Sequence, residues 1–386
     1  MSEHLLDTGE LDQLAQLDAP YCVSIYMPTH PKWPESEQDP VRFGNLVSEA
    51  EERLLAGGLD KREVQQLLAP TEALREDQSF WRHGTQGLAY YLHDGGDAAF
   101  RLLDAPGRLV TVSESFHLKP AIPTAQKNRT YYVLALSQGA ARLVECTPTS
   151  ASKMDVPDMP DSLDHAIGYE GRESRIQFHT GTAGNGGDRR AMYHGHGKGA
   201  DQKLEHLRKY LNQVQKSITR KLAGEGAPLI LAGVDYVRSQ YSELNDYAHM
   251  LSDGLSGNPE EMSEKDLQEA GWELVEPRFR VQEQEDLEAY ARSAGTGRAS
   301  SELVECLTGA HRGRVRALFV DRDAHRWGNY RLSTGDVEMH DSRQPGDRDL
   351  LNLAALLTLR MGGRVHAMES ERLPAQTPIA ALFRFE

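Results

Sequence analysis

His179, His194 and His196 lie within eighteen residues of one another, with Asp188, Arg189, Arg190 and Lys198 beside them and Gly181, Gly184, Gly186, Gly187, Gly195, Gly197 and Gly199 in between. Imidazoles and a carboxylate at short spacing are zinc-type ligands, but a Gly-rich loop lacks the rigid frame that fixes metal geometry, and no residue can be named that would orient the rings. The reading is therefore no metal and no cofactor. A phosphate cradle of the P-loop kind needs a preceding strand and a Lys-Ser/Thr pair, which "GNGGDRR" does not have. Ser137, next to Gln138 and Gly139, lacks the Gly-x-Ser-x-Gly elbow and a placed His and Asp. What remains is a polar, Gly-rich loop with no conventional cofactor site, in which Gly186, Gly187, Arg189, Arg190, His194, His196 and Lys198 are the residues to account for.

A mobile loop needs a fixed element behind it. Leu204, Leu207, Leu211, Val214, Ile218 and Leu222 recur at three- and four-residue spacing, which predicts a helix over 201–222. Its other faces carry Lys203, Arg208, Lys209, Lys216, Arg220 and Lys221, with Lys203, Lys209 and Lys216 as the candidate phosphate contacts. The loop over 179–199 is expected to be poorly ordered in the free protein, being polar and anchored only by Met192 and Tyr193. A second basic knot runs from His311 to Trp327, where Arg312, Arg314 and Arg316 at alternate positions would share one face of a strand. Solvated, salt-bridged faces are the competing reading for both clusters. Asp235 follows the apolar run "LILAGV", where α/β sheets place functional carboxylates, although capping the next helix is the preferred reading.

The rest of the chain sets bounds. It has 386 residues, a formal net charge of −15, 39% hydrophobic and 26% charged residues. Bulk attraction to nucleic acid is excluded by that charge, so any RNA binding must come from local cationic density. No apolar run approaches the roughly 20 residues of a membrane span, and the acidic start "MSEHLLDTGELDQLAQ" is unlike a signal peptide, so the expected location is the cytoplasm, away from membranes. Cys22, Cys146 and Cys306 are too scattered for a structural zinc site.

Apolar runs and turn signals predict three α/β units. An N-terminal α/β domain over 1–122 has strands at "PYCVSIYMPTH", "GLAYYLH", "AFRLLDA" and "LVTVSESFHL", and a helix ended by Gly57 and Gly58; it closes at a linker, "HLKPAIPT". A middle domain over 127–265 opens with a hairpin turning at Gln138 and Gly139 and contains the buried strand "PLILAGVDY". A C-terminal α/β/α domain over 275–386 alternates helices and strands.

The stretches "PYCVSIYMPTH", "DPVRFGNLVSEAEERLLAGGL", "SFWRHGTQGLAYYL", "FHLKP", "YYVLALSQGAARLVE", "HGHGKGADQKLEHLRKYLNQV" and "LILAGVDY" together resemble the bacterial branch of the archaeo-eukaryotic release factor and Pelota superfamily, in its family three. The resemblance implies an α/β fold of three domains, with a ribonuclease H-like middle domain and a C-terminal α/β/α sandwich similar to RNA-binding ribosomal proteins. It also implies a partner, the ribosome, met through rRNA and tRNA, and a translational GTPase as a further one. In release factors a mobile Gly-Gly-Gln loop precedes a long basic helix, and the resemblance implies that Gly186, Gly187, Arg189, Arg190, His194, His196 and Lys198 contact RNA, with His196 the one candidate general base. Here Gly186, Gly187 and Asp188, or Gly195, His196 and Gly197, stand in that place, and neither supplies the glutamine. The expected function is therefore a ribosome-associated factor docking near the A site in rescue, stress response or hibernation, without a hydrolytic activity. The alternatives are a peptidyl-tRNA hydrolase using the 179–199 loop and His196, and a non-ribosomal adaptor whose loop binds protein.

Overall fold

The computed structural model describes residues 4–32, 34–82, 84–168, 198–331 and 334–385, with backbone alone for 198–202. They form two compact units, one made of Met1–Asn128 with Arg280–Glu386, the other of Arg129–Phe279. The chain is mixed α/β throughout, as expected from its sequence.

In the first unit, strands β1 (Asp18–Pro28), β2 (Gly87–His93), β3 (Gly96–Leu102) and β4 (Leu109–Ser115) make an antiparallel sheet in the order β3-β2-β1-β4. The β2–β3 hairpin turns on Asp94 and Gly95, the Asp-Gly pair that two-residue hairpins favour. Alternation along β1 splits its side chains between two cores. Val23, Ile25 and Met27 pack with Phe43, Leu46, Ala50 and Leu54 of the helix Asp39–Ala56, which stops at Gly57 and at Gly58 with φ +103°. Cys22 and Tyr26 face the opposite way.

In the second unit, β5 (Tyr131–Leu136), β6 (Ala141–Cys146), β7 (Ala151–Met154), β8 (Leu229–Gly233) and β9 (Leu255–Ser256) form one sheet in the order β7-β6-β5-β8-β9. The first three pair antiparallel; β8 joins β5, and β9 joins β8, in parallel. This is the ribonuclease H-like arrangement implied by the resemblance. The two sheet faces carry separate cores. Leu134, Leu136, Leu143 and Leu231 meet the helix Lys198–Lys221, and Tyr131, Val133, Ile230 and Ala232 meet the helix Glu264–Phe279. At Gly271 a Cβ would lie only 3.1–3.3 Å from Tyr131, Val133 and Ile230, so glycine lets that helix seat closely.

Returning to the first unit, β10 (Ala299–Ser300), β11 (Val315–Asp321), β15 (Arg364–Met368) and β16 (Ile379–Phe383) form a sheet in the order β10-β16-β11-β15, and β12 (Trp327–Tyr330), β13 (Val337–His340) and β14 (Arg348–Asp349) a small antiparallel one. The helices Leu303–His311 and Leu350–Arg360 cover one face of the larger sheet, and Tyr290 of the helix Val281–Ser293 packs with Phe319 on the other. The expected α/β/α sandwich is present.

The predicted linker is a correction. "HLKPAIPT" lies inside the first unit, as a 3-10 turn (Lys119–Ala121) and a short helix (Ile122–Lys127), and Phe116, Leu118, Ala121 and Ile122 share one core with Tyr26, Leu350, Ala354 and Leu357. The prolines occupy first turns of helical segments, where their missing N–H costs nothing. Lys119 is fully buried, its Nζ donating to Ala324 O and lying 3.4 Å from Asp349 Oδ2. Burial alone would raise the Asp349 pKa, but the Lys119 charge and the His325 hydrogen bond outweigh it and hold the carboxyl well below its usual range. Burial also lowers His117 to about 3. The N- and C-terminal segments thus build a single unit around this stretch.

Candidate nucleic-acid interface

The helix Lys198–Lys221 runs 24 residues and begins three residues earlier than its apolar stripe predicts. Leu207, Leu211, Val214, Ile218 and Leu222 are buried, and Tyr210 packs beside them. That stripe fixes the azimuth of the cations. At about 100° per residue, Lys209, Lys216 and Arg220 stand opposite the buried stripe, while Lys203 and Lys221 flank it. All five are exposed, as is Arg208.

The exposed cations divide into two groups. Arg208 pairs with Glu243 at 3.2 Å and donates to Gln240 at 2.8 Å, Lys209 lies 3.3 Å from Glu205, and Arg220 lies 3.1 Å from Asp158. Lys203, Lys216 and Lys221 form no ion pair among the described residues. Exposed pairs are worth little, so a phosphate can displace Glu205, Glu243 or Asp158 at small cost. The sequence signal counts charge but not pairing, and so it gives Lys209 and Lys216 equal weight. Gln215, buried in the same helix, donates to Asp246 at 3.1 Å and ties the helix to the loop after Asp235–Ser242.

The loop candidates Gly186, Gly187, Arg189, Arg190, His194 and His196 lie outside the described residues, as does the expected mobility of the loop; Lys198 begins the helix with its backbone alone described. In the sequence the loop directly precedes that helix.

The second basic cluster does not form one strip. The strand β11 starts at Val315, leaving Arg312 as the C-cap of the helix Leu303–His311 and Arg314 in the turn. Arg314 lies over the rings of Phe383 and Phe385 at 5.0 and 5.9 Å and donates to Phe385 O. Arg316 faces Asp286 at 3.6 Å, next to the Arg364 and His366 hydrogen bonds to the same carboxylate. Of the three, Arg312 alone is exposed without a partner among the described residues. The helix that would have extended the alternation ends just too late.

Asp235 is a smaller correction. The N-cap is Val234, and Asp235 is the first helical residue, its carboxylate 3.3 Å from Ser256 Oγ and 4.0 Å from Arg238. It neutralises the helix terminus from the first turn instead of capping it. Burial pushes the thiols up, Cys22 to about 11 and Cys146 and Cys306 to about 12, which leaves them unreactive at neutral pH. Ser137 Oγ accepts from the N–H groups of Gly139 and Ala140 and donates to Glu260, which makes it a turn-closing hydroxyl. No helix among the described residues is long and apolar enough to cross a membrane.

Among curated proteins none matches this chain. Solved structures similar to it include the archaeal translation termination factor aRF1 (16% identity, 100% of each chain covered, TM-score 0.23), a ribosome-bound archaeal Pelota with ABCE1 (11%, 99% and 95%, 0.40) and Saccharomyces cerevisiae Dom34 (11%, 99% and 94%, 0.35). The model of bacterial archaeo-eukaryotic release factor family 7 matches residues 131–277, from β5 to the last turn of the helix Glu264–Phe279. Residues 131–277 are therefore similar to the bacterial archaeo-eukaryotic release factors, and the group they match is family 7, where the sequence pointed to family three.

Proposed function

We propose that this protein is a cytoplasmic, ribosome-associated translation factor that docks near the A site and acts in rescue, stress response or hibernation. One observation carries the reading. The segment matching the release-factor model is also the segment whose long helix leaves Lys203, Lys216 and Lys221 exposed and unpaired among the described residues, directly after the Gly- and Arg-rich loop. That combination supports phosphate contacts from the helix and close RNA approach by the loop. In this reading 1–122, 127–265 and 275–386 act as three functional parts, with a translational GTPase as a further partner.

Hydrolysis of peptidyl-tRNA is not part of the proposal, because the loop sequence offers Asp188 or His196 where release factors hold glutamine. Co-sedimentation with ribosomes from growing and starved cells tests the reading. Salt-sensitive recovery in the ribosome fractions supports it; recovery in the unbound fraction under both conditions, at low salt, overturns it.

A further inference from the structure

A second polar constellation sits away from the basic helix, in the buried centre of the first unit. His117 Nε2 is 3.9 Å from Asp349 Oδ2, His325 Nδ1 is 2.9 Å from the same oxygen, and the three ligand atoms all lie within 4.8 Å of one another. His117 is 3% exposed, and its Nε2 has no hydrogen-bond partner. A buried imidazole nitrogen with nothing bonded to it is costly unless something fills the gap. Beside it opens a cavity of about 20 Å³, lined also by Thr111, Trp327, Arg343 and Arg348, which is room for roughly one water. Thr111 Oγ1 is a second buried atom without a partner on that cavity.

We propose that His117, His325 and Asp349 form a three-ligand site for one zinc-like divalent cation, with the cavity holding a water as its fourth ligand. Two imidazoles and one carboxylate are a zinc-type donor set, and three protein ligands leave that position open. Tetrahedral zinc spaces its ligands about 3.3–3.5 Å apart, between the two imidazole–carboxylate distances found here. The carboxylate is already aimed: Asp349 Oδ1 accepts from the N–H groups of Arg326 and Leu351, each at 3.1 Å, and Oδ2 is the oxygen turned towards both imidazoles.

Lys119 Nζ, 3.4 Å from Oδ2, becomes an outer partner of that oxygen, with the Asp321 carboxylate near it. Arg348 donates to Ser115 Oγ and Arg343 lies over the Trp327 ring, so both cations are engaged at the cavity wall and make its open position one for water or a small anion.

The test is zinc titration of the metal-stripped full chain by equilibrium dialysis with elemental analysis, alongside the thermal midpoint. The wild type and a His179→Ala/His194→Ala/His196→Ala variant, which removes the loop imidazoles, are expected to bind one zinc and to gain stability with it. His117→Ala and His325→Ala are each expected to weaken binding by at least about 100-fold. His325 is only half-buried, so its variant decides the matter if His117→Ala does not fold. Absence of micromolar zinc binding, binding unaffected by His325→Ala, or binding lost with the loop histidines overturns the proposal.

Discussion

Lys216 and Lys209 lie on the same face of the basic helix, yet one is unpaired among the described residues and the other has Glu205 at 3.3 Å, so their replacement by Gln should read differently. Each phosphate contact contributes about 0.7–0.9 to the slope of log K against log salt. Between 50 and 200 mM, about 0.6 log units of salt, losing one contact should therefore remove roughly a threefold share of the salt-induced weakening, and losing two roughly a tenfold share. Lys216→Gln should show the full single-contact change. Lys209 must leave Glu205 to reach a phosphate, so Glu205→Gln should strengthen binding at low salt, whereas Lys209→Gln should weaken it. The exposed Lys209–Glu205 pair is worth about 0.3–0.5 kcal/mol, so none of these changes should shift the urea midpoint appreciably. Filter binding or sedimentation with purified ribosomes across the salt series measures the wild type, the three single variants and the Lys209→Gln/Lys216→Gln double variant. A slope unchanged in the Lys209→Gln/Lys216→Gln double variant, or weaker binding by Glu205→Gln, would refute the assignment of this face to RNA.

Other outcomes follow from the same structure. Leu211→Ala removes a fully buried side chain from the stripe under the basic helix and should cost about 2–5 kcal/mol in urea unfolding, in contrast to the lysines on its exposed face. Asp286 is buried, and although burial opposes ionisation, hydrogen bonds from Arg364 and His366 bring its pKa down to about 2. Its folded pKa is below the unfolded one, so its stabilisation is complete above about pH 4 and is lost as the pH falls towards 2. The wild type should lose roughly 2 kcal/mol more than Asp286→Asn over that window in pH-dependent unfolding. Stalled ribosome complexes should release no peptide on adding the protein, and His196→Ala should leave that result unchanged in single-turnover assays; hydrolysis that falls on the order of 100-fold or more in the variant would favour the enzyme reading.

Strands with strong apolar runs are legible in the sequence: β1, β2, β5 and β8 all fall where their residues predict them, because a strand buried on one or both faces leaves few alternatives. The helix Lys198–Lys221 is equally legible, since its stripe alone determines which face is buried. Tertiary pairing is what the sequence hides. "HLKPAIPT" resembles a linker because Pro, His and Lys are usually exposed, and only partners distant in sequence, the Asp349 carboxylate and the Ala324 carbonyl, make burying Lys119 tolerable. The alternating arginines suggested a strand face, but a helix C-terminus and two phenylalanine rings take Arg312 and Arg314 first. His117 and His325 come together only through the fold, and no local spacing announces them.

Docking near the A site is best probed by titrating the labelled protein onto purified ribosomes carrying a peptidyl-tRNA in the P site, with the A site either empty or filled by a cognate aminoacyl-tRNA. Saturable binding to the empty-A-site complex, abolished by the A-site tRNA and weakened by Lys216→Gln, is the expected result. Equal binding to both complexes, or none to either at low salt, would contradict it.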